Sequence, residues 1–218
     1  MIAGYLDGYG LLYLGVYVSF MTGNTTMTGL SSGQGNLHAA LPPAVAIAFF
    51  FAGSFFGSLF MQLRWRYSHR IILGLIASLV AVAAGFERHG VRNALFEIAT
   101  LSLAMGMMNP ALSRIGAESV SLTFMTGTLK RIAGQLAFAA GRKFLTDSQG
   151  QPDSNLRRAG VEASLWSAFL VGAAISGAIV SHLRTWALLP PVAAMICLAA
   201  CGGFDRADPP HSSGPAIR

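Results

Sequence analysis

An aspartate inside an apolar run, Gly4-Tyr5-Leu6-Asp7, and an asparagine in a matching run, Gly106-Met107-Met108-Asn109, are the first residues here that could do chemistry. Each is followed by a copy of Phe-Met-Thr-Gly, as Ser19-Phe20-Met21-Thr22-Gly23-Asn24-Thr25 and as Thr123-Phe124-Met125-Thr126-Gly127-Thr128. The four-residue copies lie 104 positions apart and the preceding runs 102 apart, so the chain reads as an internal repeat. An acid within an apolar span is costly and by default a functional candidate. Asp7 is suited to carry a coupling proton or cation, with Asn109 its uncharged counterpart. Thr22, Gly23, Asn24, Thr126, Gly127 and Thr128 are residue types that start helices, and a helix start presents free N–H groups and partial positive charge to an anion. Gly23 and Gly127 also admit backbone positions closed to a residue with a Cβ. Together these eight residues form the candidate solute-binding set, with no catalytic group, metal or cofactor expected.

What must position them is a broken element. Val16-x-Val18-x-Phe20 has β character and a period of two, which an uninterrupted helix disfavours. The expected order is a helix that stops, a short extended link, and a half-helix beginning at Thr-Gly. Such backbone survives at membrane depth only inside protein or against a wet cavity. Lys130 and Arg131 fall in the first turn of the second half-helix, where the dipole disfavours cations, so either an anionic partner or a solvated face accounts for them.

The membrane setting follows from composition: 53% of the 218 residues are hydrophobic and 11% charged, against roughly 25% charged in a soluble domain. Spans are expected at 2–21 (interrupted by Gly8, Gly10 and Gly15), 44–63, 71–86, 94–112, 159–182 and 186–201. Residues 24–41 are too polar to cross lipid, Pro42-Pro43 open the second span, 129–145 is amphipathic, and 146–157 is a polar loop. The expected fold is therefore an all-α membrane protein of six transmembrane helices in a single domain, 1–203, with repeats at 1–90 and 91–203 and a disordered tail at 204–218. Residues 1–4 lack a basic, cleavable signal pattern, so the first span would serve as the insertion signal. The second copy carries apolar residues from Ala94 onwards that have no counterpart before Asp7, which suggests that part of the first span precedes residue 1.

The net charge of +6 comes from loop residues rather than a nucleic-acid face. Twelve of the fifteen basic residues fall on one side of the expected topology, which puts both termini in the cytoplasm. Three spans per copy is odd, so the second copy enters upside down, the inverted architecture of many secondary transporters. Gly53-x-x-x-Gly57 and Gly172-x-x-x-Ser176 let helices approach closely, either within the chain or across a homodimer face. Cys197 and Cys201 are read as small packing residues.

In Gly4-Tyr5-Leu6-Asp7-Gly8, Ser19–Thr25, Ala104–Leu112 and Thr123–Leu129 the chain resembles the YoaK-like family of bacterial multi-pass membrane proteins, over about residues 3–203. Where this chain has Met108 the family usually has Gln, so specificity would differ if that position meets a ligand. The resemblance implies a bacterial inner-membrane location and no particular substrate. The leading expectation is a secondary transporter of a small solute, an anion by preference, with lipid and solute as partners. The alternative is a channel or a non-transporting membrane subunit. An enzyme is disfavoured, because His38, His69, His89 and His182 stand near span ends without a suitably spaced acid or Cys.

Overall fold

The computed structural model describes residues 1–63, 68–88, 93–112, 114–115, 118–119, 125–141, 155–183 and 186–201. Among them the chain is helical apart from links, turns and one short antiparallel pairing of Arg114–Ile115 with Glu118–Ser119. The first helix, α1, runs Ile2–Tyr9 and continues as a π-helical turn over Gly10–Leu14. Gly15 then takes a left-handed conformation, φ 73°, which a residue with a Cβ rarely adopts. Residues 16–20 are irregular, and α2 begins at Met21 and ends at Gly33. The first span is thus broken where the Val-x-Val-x-Phe pattern falls.

The half-helix expected from Thr-Gly is α2, and it takes in much of the polar segment, with the Thr25, Thr26 and Thr28 hydroxyls donating to carbonyls four residues back. At 13 residues α2 is about 20 Å long, short of the bilayer core of about 30 Å. The next helix, α3 (Leu37–Gln62), starts seven residues before the expected span. Asn36 caps it, its Oδ1 accepting from the Ala39 N–H at 3.1 Å. Pro42 and Pro43 therefore lie inside α3. The carbonyls they leave without donors belong to His38 and Ala39, which are exposed near the helix start, so the loss is small.

Four further helices follow the expected order: α4 (Ser68–Arg88), α5 (Ala94–Leu112), α6 (Met125–Ala140) and α7 (Asn155–Leu183). Residues 155–157, expected at the end of a polar loop, are the first turn of α7. The last helix, α8, is Leu189–Cys201, and Trp186–Leu188 form a turn before it rather than its first turn. The remainder of the expected loop (146–154), the link at 120–124 and the tail at 204–218 lie outside the described residues.

Packing is led by small residues. Gly53 and Gly57 of α3 lie against Leu103, Met107 and Pro110 of α5, while Gly106 of α5 lies against the Phe50 carbonyl and Ser54 of α3. A Cβ at Gly57 would stand 3.0 Å from Met107 Cα, so both helices touch through backbone. α1 and α7 pack likewise: Gly4 against Phe169 and Ala173, Gly8 against Ser176, Gly172 against Met1. Both small-residue faces make contacts within the chain. α2 rests on α3, α6 on α7, and α4 on both α5 and α8. Between α1, α4, α5 and α8 lies the apolar core, with Leu6, Tyr9, Ile72, Ile76, Leu101, Met105, Leu188 and Met195 buried. Outside, Phe51, Phe55, Phe56 and Leu59 of α3 and Leu170, Val171 and Ile175 of α7 are exposed. Small residues inward and large apolar ones outward suit lipid rather than water.

Candidate functional site

Asp7 is buried in the last turn of α1 and reaches across the break. Its Oδ1 accepts the backbone N–H groups of Val18 at 2.9 Å, Ser19 at 2.7 Å and Phe20 at 3.3 Å, and its Oδ2 accepts the Ser19 hydroxyl at 2.6 Å. One carboxylate thus satisfies the amides that the irregular link cannot pair, as burial demands. From the other side Asn24, fully buried on α2, pairs with both backbone groups of Tyr17. Its Oδ1 accepts from Tyr17 N at 3.0 Å and its Nδ2 donates to Tyr17 O at 2.6 Å. Gly23 sits beneath the Tyr17 and Phe20 rings, which meet edge to face with centroids 5.2 Å apart.

The helix start itself differs from expectation. Phe20, not a Thr or Asn, occupies the cap position of α2, and no side chain caps it. The polar residues are drawn elsewhere because Asn24 is bound to the link and Thr22 points outward, exposed. In the second copy Thr126 is likewise exposed and Thr128 buried, and Gly127 is half-buried. Asn109 is half-buried on α5. Asp7, Asn24, Ser19 and the link therefore form one cluster, while Thr128 belongs to another between α6 and α7. The two helix starts rest on different long helices, α3 and α7.

That second cluster joins Thr128 and Arg131, both singled out in the sequence, to Gln135 and Glu162, which were not. Arg131 Nε donates to Glu162 Oε1 at 2.6 Å and its Nη2 to Thr128 Oγ1 at 3.3 Å. Thr128, Arg131 and Gln135 share one face of α6 at spacings of three and four, with Glu162 opposite on α7. The available signal was Glu162 itself, an acid four residues into the expected fifth span. A third polar contact joins the halves: Tyr9 Oη donates to Glu97 Oε1 on α5 at 2.5 Å. Tyr5 Oη donates to the Ala187 carbonyl at 2.6 Å and fixes the turn before α8. Among the described residues no group of His, Cys, Asp and Glu could hold a metal ion.

Two helices, α3 and α7, are long and apolar enough to cross a membrane. With their apolar outer faces and the buried polar break of α1, they define the class: an all-α integral membrane protein. Comparison with known proteins gives its family. Residues 1–201 match the family described as Protein of unknown function (DUF1275), and the chain belongs to it. It is similar to the UPF0700 transmembrane protein RA0705 of Rhizobium meliloti (strain 1021), 28% identical over 94% of this chain and 84% of the relative. It is also similar to the UPF0700 transmembrane protein YoaK of Bacillus subtilis (strain 168), 30% identical over 68% of this chain and 71% of the relative. The YoaK-like resemblance read from the motifs is thereby established. No solved structure is a significant match.

Proposed function

We propose that the protein is a secondary transporter of a small solute, an anion by preference, in the bacterial inner membrane, and a carrier rather than an enzyme. The observation that carries this reading is the break in α1: a buried link of irregular backbone held by Asp7 and Asn24. Irregular backbone is costly in lipid, and carriers use discontinuous helices of this kind at their sites. The solute site takes in the second copy as well, with Asn109, Thr126, Gly127 and Thr128 as counterparts of Asp7, Thr22, Gly23 and Asn24.

The proposed architecture is three plus three spans in inverted repeats, and the packing supports it by a numerical correspondence. Gly106 meets Phe50 and Ser54, whereas Gly4 meets Phe169 and Ala173. Gly53 meets Leu103, whereas Gly172 meets Met1. In every pair the first helices differ by 102 positions and the long helices by 119. Each half lends its first helix to the long helix of the other half, as a two-fold relation between repeats would require. Both termini are then cytoplasmic by the distribution of Arg and Lys.

Purified protein in proteoliposomes tests the function. Counterflow of labelled small anions, chloride and acetate first, is expected above protein-free vesicles. No flux of any small solute from a well-folded preparation would reject the carrier reading in favour of a non-transporting membrane subunit.

A further inference from the structure

Among the buried acceptors without a donor at the seam between α6 and α7 are two that flank Arg131. Glu162 is 4% exposed; its Oε1 has Arg131, but no hydrogen-bond donor reaches its Oε2. Gln135, 9% exposed and one turn beyond Arg131 on the same face of α6, leaves Oε1 equally without a donor. An acceptor left unmatched in a buried place is expensive, about 1–3 kcal/mol and more where charge is involved. A proton is the one partner that needs no added volume. Placed on Glu162 Oε2, it neutralises the carboxylate and creates a donor on the seam where Gln135 lacks one.

Arg131 lies on the other side of the same balance. Its side chain is 41% exposed while that of Glu162 is 6% exposed, so the guanidinium borders solvent and the carboxylate does not. Two of its five N–H donors are used, by Glu162 and Thr128. We propose that this seam is a site of coupled proton and anion uptake, in which Glu162 releases Arg131 on taking a proton and the guanidinium takes a small monovalent anion. The carboxylate plus a proton becomes a neutral acid, Arg131 keeps its charge, and the anion replaces Glu162 as its counter-ion. Proton and anion are thus taken up together without net charge. This rests on the carrier reading above only in assigning that uptake to transport.

The groups facing Glu162 fit this coupling. From α6 come Thr128, Arg131 and Gln135, with Lys130 exposed beside them. Asn155 and Arg158 precede Glu162 on α7 itself. α1 meets α7 further along, at Phe169, Gly172 and Ala173, and brings the Met1 amino group and Asp7, whose carboxylate is held by the link. Glu162 is thus the acid of this seam among the described residues.

The whole chain in lipid nanodiscs provides the test. Infrared difference spectra between alkaline and acidic buffer are expected to show a carboxylic-acid C=O band that Glu162→Gln removes and Glu97→Gln retains. Glu162→Asp, which shortens the carboxyl by one methylene, should move the midpoint of that band. Chloride and acetate, titrated calorimetrically, should bind at least about tenfold more tightly in acid. Glu162→Gln should bind them equally at both values, and Arg131→Gln at neither. The inference is overturned by a band that survives Glu162→Gln, by a midpoint unmoved in Glu162→Asp, or by wild-type pH dependence of anion binding in Glu162→Gln. Binding unaffected by Arg131→Gln marks an adventitious ion only and also overturns it. Flux without a Glu162 band rejects this site alone, whereas the band and pH-dependent anion binding without flux reject only the carrier reading.

Discussion

Asp7 meets four donors with two oxygens, and the residue-scale consequences follow from that excess. Asn at position 7 keeps one acceptor oxygen but turns an NH2 towards groups that are themselves donors. Asp7→Asn is therefore expected to lose about 1–3 kcal/mol of stability, the cost of buried donors left unmatched. Thermal unfolding in detergent measures it, and an unchanged Tm would mean that the link pairs its amides some other way. Thr22 and Thr126 make the opposite case. Both are exposed, so Thr22→Val and Thr126→Val should leave the stability within about 0.5 kcal/mol of wild type. If they line the solute path, anion flux falls while folding holds; full flux in both variants removes them from the site. The identity of Asp7 as the key polar residue was readable from its place in an apolar run. Its partners were not, because they lie 11 to 13 residues away across a turn whose path depends on Gly15. Glu162 was passed over for a related reason: its significance comes from Arg131, 31 residues earlier on another helix.

At the scale of elements, glycine position rather than glycine number decides what a substitution does. Gly53 lies against the Leu103 carbonyl, closer than a Cβ allows, whereas nothing stands within 4 Å of a Cβ at Gly74 on α4. Gly53→Ala should force α3 and α5 apart and cost about 1–3 kcal/mol by overpacking. Gly74→Ala should instead add up to about 1 kcal/mol, since Ala is the better helix former. The two Tm values must move in opposite directions; equal shifts would show that the α3–α5 contact is looser than backbone against backbone. The small-x-x-x-small spacing made these faces legible, but not whether the partner was another helix of the same chain. The start of α2 was legible from Thr-Gly, and its polar hydroxyls, which argue against a span, turn back on their own helix. The start of α3 was not, because Asn36 caps it ahead of the prolines that hydropathy pointed to.

For the molecule as a whole, the question is whether the two halves run in opposite directions, since a shared fold alone would also allow parallel repeats. α1 lies on α7 and α5 on α3, through contacts that correspond position by position, while α4 and α8 meet each other. A two-fold axis in the membrane plane and one along its normal both produce that exchange; the first carries α2 and α6 towards opposite faces, the second to the same face. Ser32, near the end of α2, and Gly141, just past α6, are both exposed and report the two ends. In a background of Cys197→Ser and Cys201→Ser, Ser32→Cys is expected to react with an impermeant maleimide in intact cells. Gly141→Cys, Arg66→Cys and Gly150→Cys should react only after permeabilisation, because the clustered Arg and Lys of their segments belong on the cytoplasmic side. Positions 66 and 150 lie outside the described residues and test the charge rule alone, whereas 32 and 141 test the packing. Labelling of Ser32→Cys and Gly141→Cys from the same side would discard the inverted arrangement while leaving the intrachain glycine contacts in place. Labelling of Gly150→Cys in intact cells, with Ser32→Cys protected, would instead turn the whole molecule over without altering the relation between its halves.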